Sequence, residues 1–237
     1  TREASTTVTP SKGPVASSVM DWSGAGEDLV VAHGVSAKWV QFMPSPVPQR
    51  TMTYGSVVID RLVEKGIDTV FGIPGKQTLP LNEAIDDRED VQFVMARHET
   101  AVSHQAWGYA ETTGRPAGTV VVPGPGDMNA MNGLKNALND NTPLVHIAVE
   151  TDPEVRGRDG IHETPPDTYD NVVKANRVVK NPEGIAAEVE RAVETATTAP
   201  KGPVRLGIPK SFLPASGPSA ALGEVEPSAP VAPAPTA

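Results

Sequence analysis

The sequence predicts an α/β fold, a three-layer parallel sheet flanked by helices. Three observations carry this. Short β-branched runs such as IDTVF (67–71), GTVVVP (118–123) and PLVHIAVE (143–150) alternate with helical patterns. Such runs are mostly apolar, as strands buried on both faces are, and the intervening helices supply the crossovers that parallel neighbours need. The turns leading from strand to helix are built of Gly and Pro, as in GIPG (72–75) and PGPG (123–126). Ligands of such sheets bind at those turns, beyond the carboxyl ends of the strands.

The elements follow in order. TYGSVVIDRLVEK (53–65) reads as a helix, with Thr53 as N-cap and Gly66 just past its end. After the strand at 67–71, TLPLNEAIDD (78–87) opens with Thr and Pro and reads as a helix. VQFVMA (91–96) is a strand, and HETAVSHQAWGYAETT (98–113) a helix ended by Gly114. The strand 118–123 precedes a helix over 127–140, for which Asp127 is a candidate cap. The strand 143–150, a polar segment, a long helix over 181–199 and a last strand GPVRLGIP (202–209) complete the pattern.

Composition sets the outer bounds. The chain has 237 residues and a net charge of −9. An acidic balance argues against general binding to nucleic acid or anionic membranes. There is no cysteine, which excludes disulfides, thiolate metal sites and a cysteine nucleophile. No apolar run approaches the roughly 20 residues that span a bilayer, and no signal peptide is legible. The expected location is cytoplasmic. Three regions differ in composition. Residues 1–51 are rich in Ser, Thr, Pro and Gly and read as an irregular or non-native extension, with Met52 the natural start of the patterned part. Residues 52–210 form the domain. Residues 211–237 end in PSAPVAPAPTA and read as a Pro/Ala-rich linker.

Familiar motifs fail one by one. FGIPGKQTLP (71–80) suggests a phosphate loop, but the first Gly would fall at Val70, and Gln77 stands where Ser or Thr is needed. VPGPGDMN (122–129) lacks the third Gly of a dinucleotide fingerprint, since Asn129 occupies it. ARHETAVSH (96–104) has Val102 where HExxH needs His, so no metal ligand set emerges. That helix carries a different signal. Glu99 shares a face with Val102, Ala106, Tyr109 and Ala110. An inward-turned carboxylate and a first-turn Glu favouring the helix dipole fit this pattern equally. The segment GRDGIHETPPDTYDN (157–171) is too long for a plain turn, and its His162, Glu163 and Asp167 offer acid, base or ligand groups.

Taken in order, these pieces resemble the N-terminal pyrimidine-binding (PYR) domain of thiamine-diphosphate enzymes, in particular the acetolactate synthase-like group. The resemblance rests on Val70-Phe71-Gly72-Ile73-Pro74-Gly75, Arg97-His98-Glu99, Gly108-Tyr109-Ala110 and Gly114-Arg115-Pro116. It continues through Gly124-Pro125-Gly126 with Asn129, Asp140 with Pro143, and Gly157-Arg158-Asp159 with Glu163. Gly202-Pro203-Val204 with Ile208-Pro209 ends it, so nearly the whole patterned region is covered. The resemblance implies a thiamine-diphosphate-binding fold and a role for Glu99 as the catalytic carboxyl. In this family that Glu hydrogen-bonds N1′ of the cofactor's aminopyrimidine, and the cofactor accepts the electrons released when a 2-oxo acid loses CO2. The implied cofactor-binding set is Ile73, Pro74, Gly75, Glu99 and Asn129, with the 72–75 turn against the thiamine rings.

Departures from the family pattern shape the rest of the expectation. Ile161-His162-Glu163 stands where the group has F-Q-E, which places His162 near substrate. Pro123 replaces the usual Ser before G-P-G. An Arg that binds FAD in flavin-containing members would fall near Asp170, which counts against FAD. The G-D-G…N signature that holds Mg²⁺ and diphosphate is absent, since Met128 follows Gly126-Asp127. Mg²⁺ is therefore expected only through a missing domain or partner. The implied reading is half of a 2-oxo-acid carboligase or decarboxylase, working with a diphosphate-binding domain of a second subunit or separate chain in a homo- or hetero-oligomer. A natural split subunit like those of sulfopyruvate decarboxylases and a non-catalytic assembly module are the alternatives.

Overall fold

The computed structural model describes residues 52–158 and 162–217; residues 1–51, 159–161 and 218–237 lie outside the description. The expectations for the extension and for Asp159 and Ile161 therefore fall on undescribed residues. In chain order the elements are β1 (Met52–Thr53), α1 (Tyr54–Glu64), β2 (Thr69–Gly72), α2 (Leu79–Asp86), β3 (Gln92–Met95), α3 (Glu99–Thr113) and β4 (Ala117–Val121). Then come α4 (Pro125–Asn129), α5 (Met131–Asn139), β5 (Leu144–Glu150), β6 (Ala175–Val178), α6 (Ile185–Thr197), β7 (Val204–Pro209) and β8 (Ser216–Gly217).

Six strands form one sheet in the order β3-β2-β4-β5-β7-β6, and every neighbouring pair is parallel. Strand-helix crossovers of this kind are right-handed as a rule and put helices on both faces. On one face α1, α2 and α6 enclose Val58, Ile59, Leu62, Leu81 and Val189 with Val145, Ile147 and Val149 of β5. On the other, α3 and α5 cover Leu144 and Ala148 of the same strand, with Val102, Ala106 and Leu134. The alternation along β5 is the two-residue period of a strand with both faces buried. One position on the α3/α5 face is polar: His146, fully buried between Leu144 and Ala148.

Local signals fix the ends. Thr53 caps α1, its hydroxyl accepting from the Ser56 N–H. Gly114 closes α3 in the left-handed region at φ 71°, where a side chain would clash with its own backbone. Past β7, Leu213 is buried in the α1/α6 core and Ser216–Gly217 pair antiparallel with Met52–Thr53. The two ends of the described chain thus leave side by side. Among the described residues, no helix is long and apolar enough to cross a membrane.

Three details differ from expectation. The single helix expected over 127–140 is two, with Ala130 at the joint. Gly124, at φ 66°, starts α4 early, so Asp127 lies inside it and does not cap it. Strand β6 has no apolar run, because ANRV lies at the sheet edge and is only half-buried.

Candidate active site

Three neighbouring strands, β3, β2 and β4, end at the same sheet edge, and the turns that follow them converge. The Gly72–Gly75 turn is closed by Thr78, which is buried: the Gly75 N–H donates to Thr78 Oγ1 at 2.9 Å, and that hydroxyl donates to the Gly75 carbonyl at 3.1 Å. Val122 joins this turn to the next. A Cβ on Gly75 would lie 2.5 Å from Val122 Cγ1, and one on Gly126 would lie 2.6 Å from Val122 Cγ2. Both turns therefore close on one isopropyl group, each against a different methyl. Gly75→Ala is expected to cost about 1–3 kcal/mol through overpacking, since a β-branched side chain has little freedom to yield. A lowered urea midpoint would register this cost.

Glu99 opens α3 directly across from Gly126, whose added Cβ would sit 3.3 Å from Glu99 Oε1. The His98 ring caps the helix, Nδ1 accepting from the Thr100 N–H at 3.2 Å. The Glu99 carboxylate is half-buried. Its Oε2 accepts from Asn129 Nδ2–H at 3.2 Å, and the Thr100 hydroxyl donates to the Asn129 carbonyl at 2.9 Å. These two bonds tie the start of α3 to the end of α4. Oε1 accepts no hydrogen bond among the described residues. The carboxylate thus has one oxygen anchored and one available, at a helix N-terminus whose dipole favours negative charge. Glu99 is a first-turn residue of α3 and half-buried, while its stripe-mates Val102, Ala106 and Ala110 are buried.

Of the other candidates, Ile73 is half-buried and Pro74 exposed on the same turn as Gly75. The 162–163 backbone reaches the second turn, since a Cβ on Gly124 would meet His162 Cβ at 3.0 Å and the Glu163 nitrogen at 3.2 Å. The His162 carbonyl accepts from Thr151 Oγ1 at 2.8 Å, but His162 itself is exposed. Glu163 turns away to accept the Gly157 N–H at 3.2 Å. Asp167 is exposed.

Sequence reasoning missed the group beneath the second turn. Asp127 is fully buried, and so are His146, Arg205 and Tyr169. Asp127 Oδ2 accepts from Arg205 Nη2 at 2.7 Å and Nε at 3.2 Å. Its Oδ1 lies 3.0 Å from His146 Nε2 and 2.7 Å from the Tyr169 hydroxyl, which also reaches the Asp127 carbonyl at 2.6 Å. Arg205 Nη2 bonds Glu150 at 2.8 Å as well, and Glu150 is paired with Arg156. The signal was present: a His in PLVHIAVE and an Arg in GPVRLGIP stand in strands otherwise apolar on both faces.

The charges follow from these contacts. Burial pushes the Asp127 carboxyl up, but the His146 hydrogen bond and the Arg205 guanidinium outweigh it and hold the group below the usual carboxylate range. Burial first, then the Asp127 charge, push the Tyr169 phenol far up, so it stays a donor. The pH consequence has a definite sign. A depressed carboxylate contributes stability that is complete above its unfolded value of about 3.9 and is lost as pH falls through the lower folded value. The gap in urea midpoint between the native chain and Asp127→Asn should be constant from neutral pH to about pH 5 and shrink below about pH 4.

Residues 52–171 match the family model described as thiamine pyrophosphate enzyme, N-terminal TPP binding domain. The chain belongs to this family. It is 36% identical over 162 residues to the acetolactate synthase large subunit of Lactococcus lactis, covering 67% of this chain and 28% of that protein. It is 31% identical over 172 residues to the chloroplastic acetolactate synthase of Arabidopsis thaliana, covering 72% of this chain and 26% of the relative. Among solved structures, a thiamine diphosphate-dependent 4-hydroxybenzoylformate decarboxylase of Rhodococcus jostii superposes with a TM-score of 0.67 at 27% identity, over 75% of this chain and 34% of the other. The chain thus spans about a quarter to a third of the length of these relatives.

The residues at hand fit the aminopyrimidine half of thiamine diphosphate. A carboxylate with one free oxygen faces two turns whose backbones come close because Gly75 and Gly126 carry no side chain. Among the described residues, no group of three or more His, Asp or Glu could hold a metal ion.

Proposed function

We propose that this chain supplies the aminopyrimidine-binding half of an acetolactate synthase-like enzyme acting on 2-oxo acids, with Glu99 as its catalytic carboxyl. The single observation that carries the reading is the Glu99 carboxylate, anchored through Oε2 by Asn129 and open at Oε1. When bound, the cofactor supplies the electron sink for decarboxylation and carbon–carbon bond formation. The chain's own work is proton exchange at Glu99 Oε1 with a ring nitrogen, and exclusion of water by the two Gly turns. Ile73, Pro74 and Gly75 would border the rings, and His162 would stand at the substrate side.

The reading requires a second domain to hold diphosphate and Mg²⁺, on the same polypeptide, on a second copy or on a separate chain. The surface supports this. The large exposed hydrophobics among the described residues are Leu79, Met95 and Met128, and each lies at the strand-end edge that carries Glu99. Apolar groups gathered on one edge mark a face that another surface covers.

The test is an assay of the enzyme assembled with its diphosphate-binding domain, in thiamine diphosphate and Mg²⁺. CO2 release from pyruvate with acetolactate as product supports the carboligase reading. CO2 release with aldehyde alone replaces it by simple decarboxylation, and no turnover of any 2-oxo acid contradicts it.

A further inference from the structure

The buried group beneath the second turn lies in a single row across the sheet. Thr119 of β4 is in register with His146 of β5, His146 with Arg205 of β7, and Arg205 with Asn176 of β6. The row is also bonded end to end: Thr119 Oγ1 to His146 Nδ1 at 2.6 Å, and Arg205 Nη1 to Asn176 Oδ1 at 3.1 Å. Asp127 and Tyr169 sit on top of it, Arg205 lying 4.8 Å from the Tyr169 ring centre. Asp127 is therefore held by three side chains, two of them rooted in the central strands. Two residues later, α4 ends in Asn129, whose amide holds Glu99 Oε2 at 3.2 Å. A buried ion network is a poor source of net stability, because apolar residues of like volume would serve as well. Its directional bonds do fix position. The Tyr169 hydroxyl is placed for that purpose, since its acceptors are the carbonyl and the carboxylate of one residue of the turn.

We propose that Tyr169 and Asp127 are positioning residues for Glu99, locking α4 to the sheet so that Asn129 presents the Glu99 carboxylate with Oε1 free. This rests on Glu99 being the proton-exchanging group.

Tyr169→Phe removes the lock and leaves the charges balanced. The readout in the full 237-residue chain is the Asn129 side-chain amide signal by ¹H–¹⁵N NMR, with Glu99→Ala as the reference for a lost contact. The expected result is a folded Tyr169→Phe chain whose Asn129 signal moves most of the way to the Glu99→Ala position. In the assembled enzyme, thiamine diphosphate affinity should fall about tenfold, the scale of one hydrogen bond, with the KM for the 2-oxo acid unchanged. An unmoved Asn129 signal together with a lower melting temperature would show a purely structural network and overturn the proposal. If Tyr169→Phe does not fold, Thr119→Val at the far end of the row carries the same test, with a smaller shift in the same direction. The NMR readout does not depend on chemistry at Glu99. A shifted Asn129 signal with undiminished turnover in Glu99→Gln would leave the positioning intact and refute the catalytic reading.

Discussion

Glu99→Gln is expected to lower the turnover of the assembled enzyme at least about a hundredfold, the scale of lost proton-transfer catalysis, with the fold retained. The substitution keeps the size of the side chain and an oxygen able to accept from Asn129, 3.2 Å away. It also keeps the packing of α3, whose buried positions start at Val102. What it removes is the ability to give and take a proton at Oε1. An amide can hydrogen-bond a ring nitrogen but cannot exchange a proton with it near neutral pH. Steady-state turnover and a thermal melt, measured on the same preparation, separate the two effects. Turnover within a few-fold of the native enzyme would sink the assignment.

Arg205→Leu has the largest expected effect on stability. Arg205 is 1% exposed and bonds both Asp127, fully buried, and Glu150, nearly so. Removing it strands a carboxylate in the sheet's interior, which costs about 3–5 kcal/mol and lowers the melting temperature by roughly 10 °C in a domain of this size. Arg205→Lys should recover only part of this, because a point charge cannot serve Asp127, Glu150 and Asn176 from one planar fork. The pH dependence is diagnostic. In the leucine variant Asp127 keeps its burial and the His146 hydrogen bond but loses the guanidinium, so its carboxyl rises from its depressed position. The native chain then loses more stability in acid than the variant does, and the gap between them should narrow as pH falls below about 4. A gap that widens in acid would contradict this account of Asp127.

The parallel sheet was legible because both-face burial writes itself as short β-branched runs, as in β4 and β5. The caps at Thr53 and Gly114 were legible because each rests on one residue's own chemistry. The meeting of Gly75, Gly126 and Glu99 was not readable from spacing. Val122, the residue that joins the turns, looks like one more strand valine, and only the ordered family motifs pointed to the site. Asp127 is a candidate cap in the sequence and lies inside the helix in the structure, because the sequence cannot show that Gly124 adopts a positive φ and starts α4 early. Its partners lie on strands far along the chain, and their convergence depends on strand order, which no local pattern encodes. Strand β6 and the burial of Leu213 were silent for a related reason: a half-exposed edge and a Phe-Leu pair followed by Pro, Ala and Ser carry no period.

The most direct test of the central claim is the exchange of the thiamine diphosphate C2 hydrogen for deuterium in the assembled enzyme, followed by ¹H NMR in the native and Glu99→Gln forms. If Glu99 Oε1 drives proton exchange at the aminopyrimidine, the native enzyme exchanges rapidly and the variant at least about a hundredfold more slowly, with the cofactor still bound. Equal rates in the two forms would show that Glu99 only helps to bind the cofactor, and would contradict its assignment as the catalytic carboxyl.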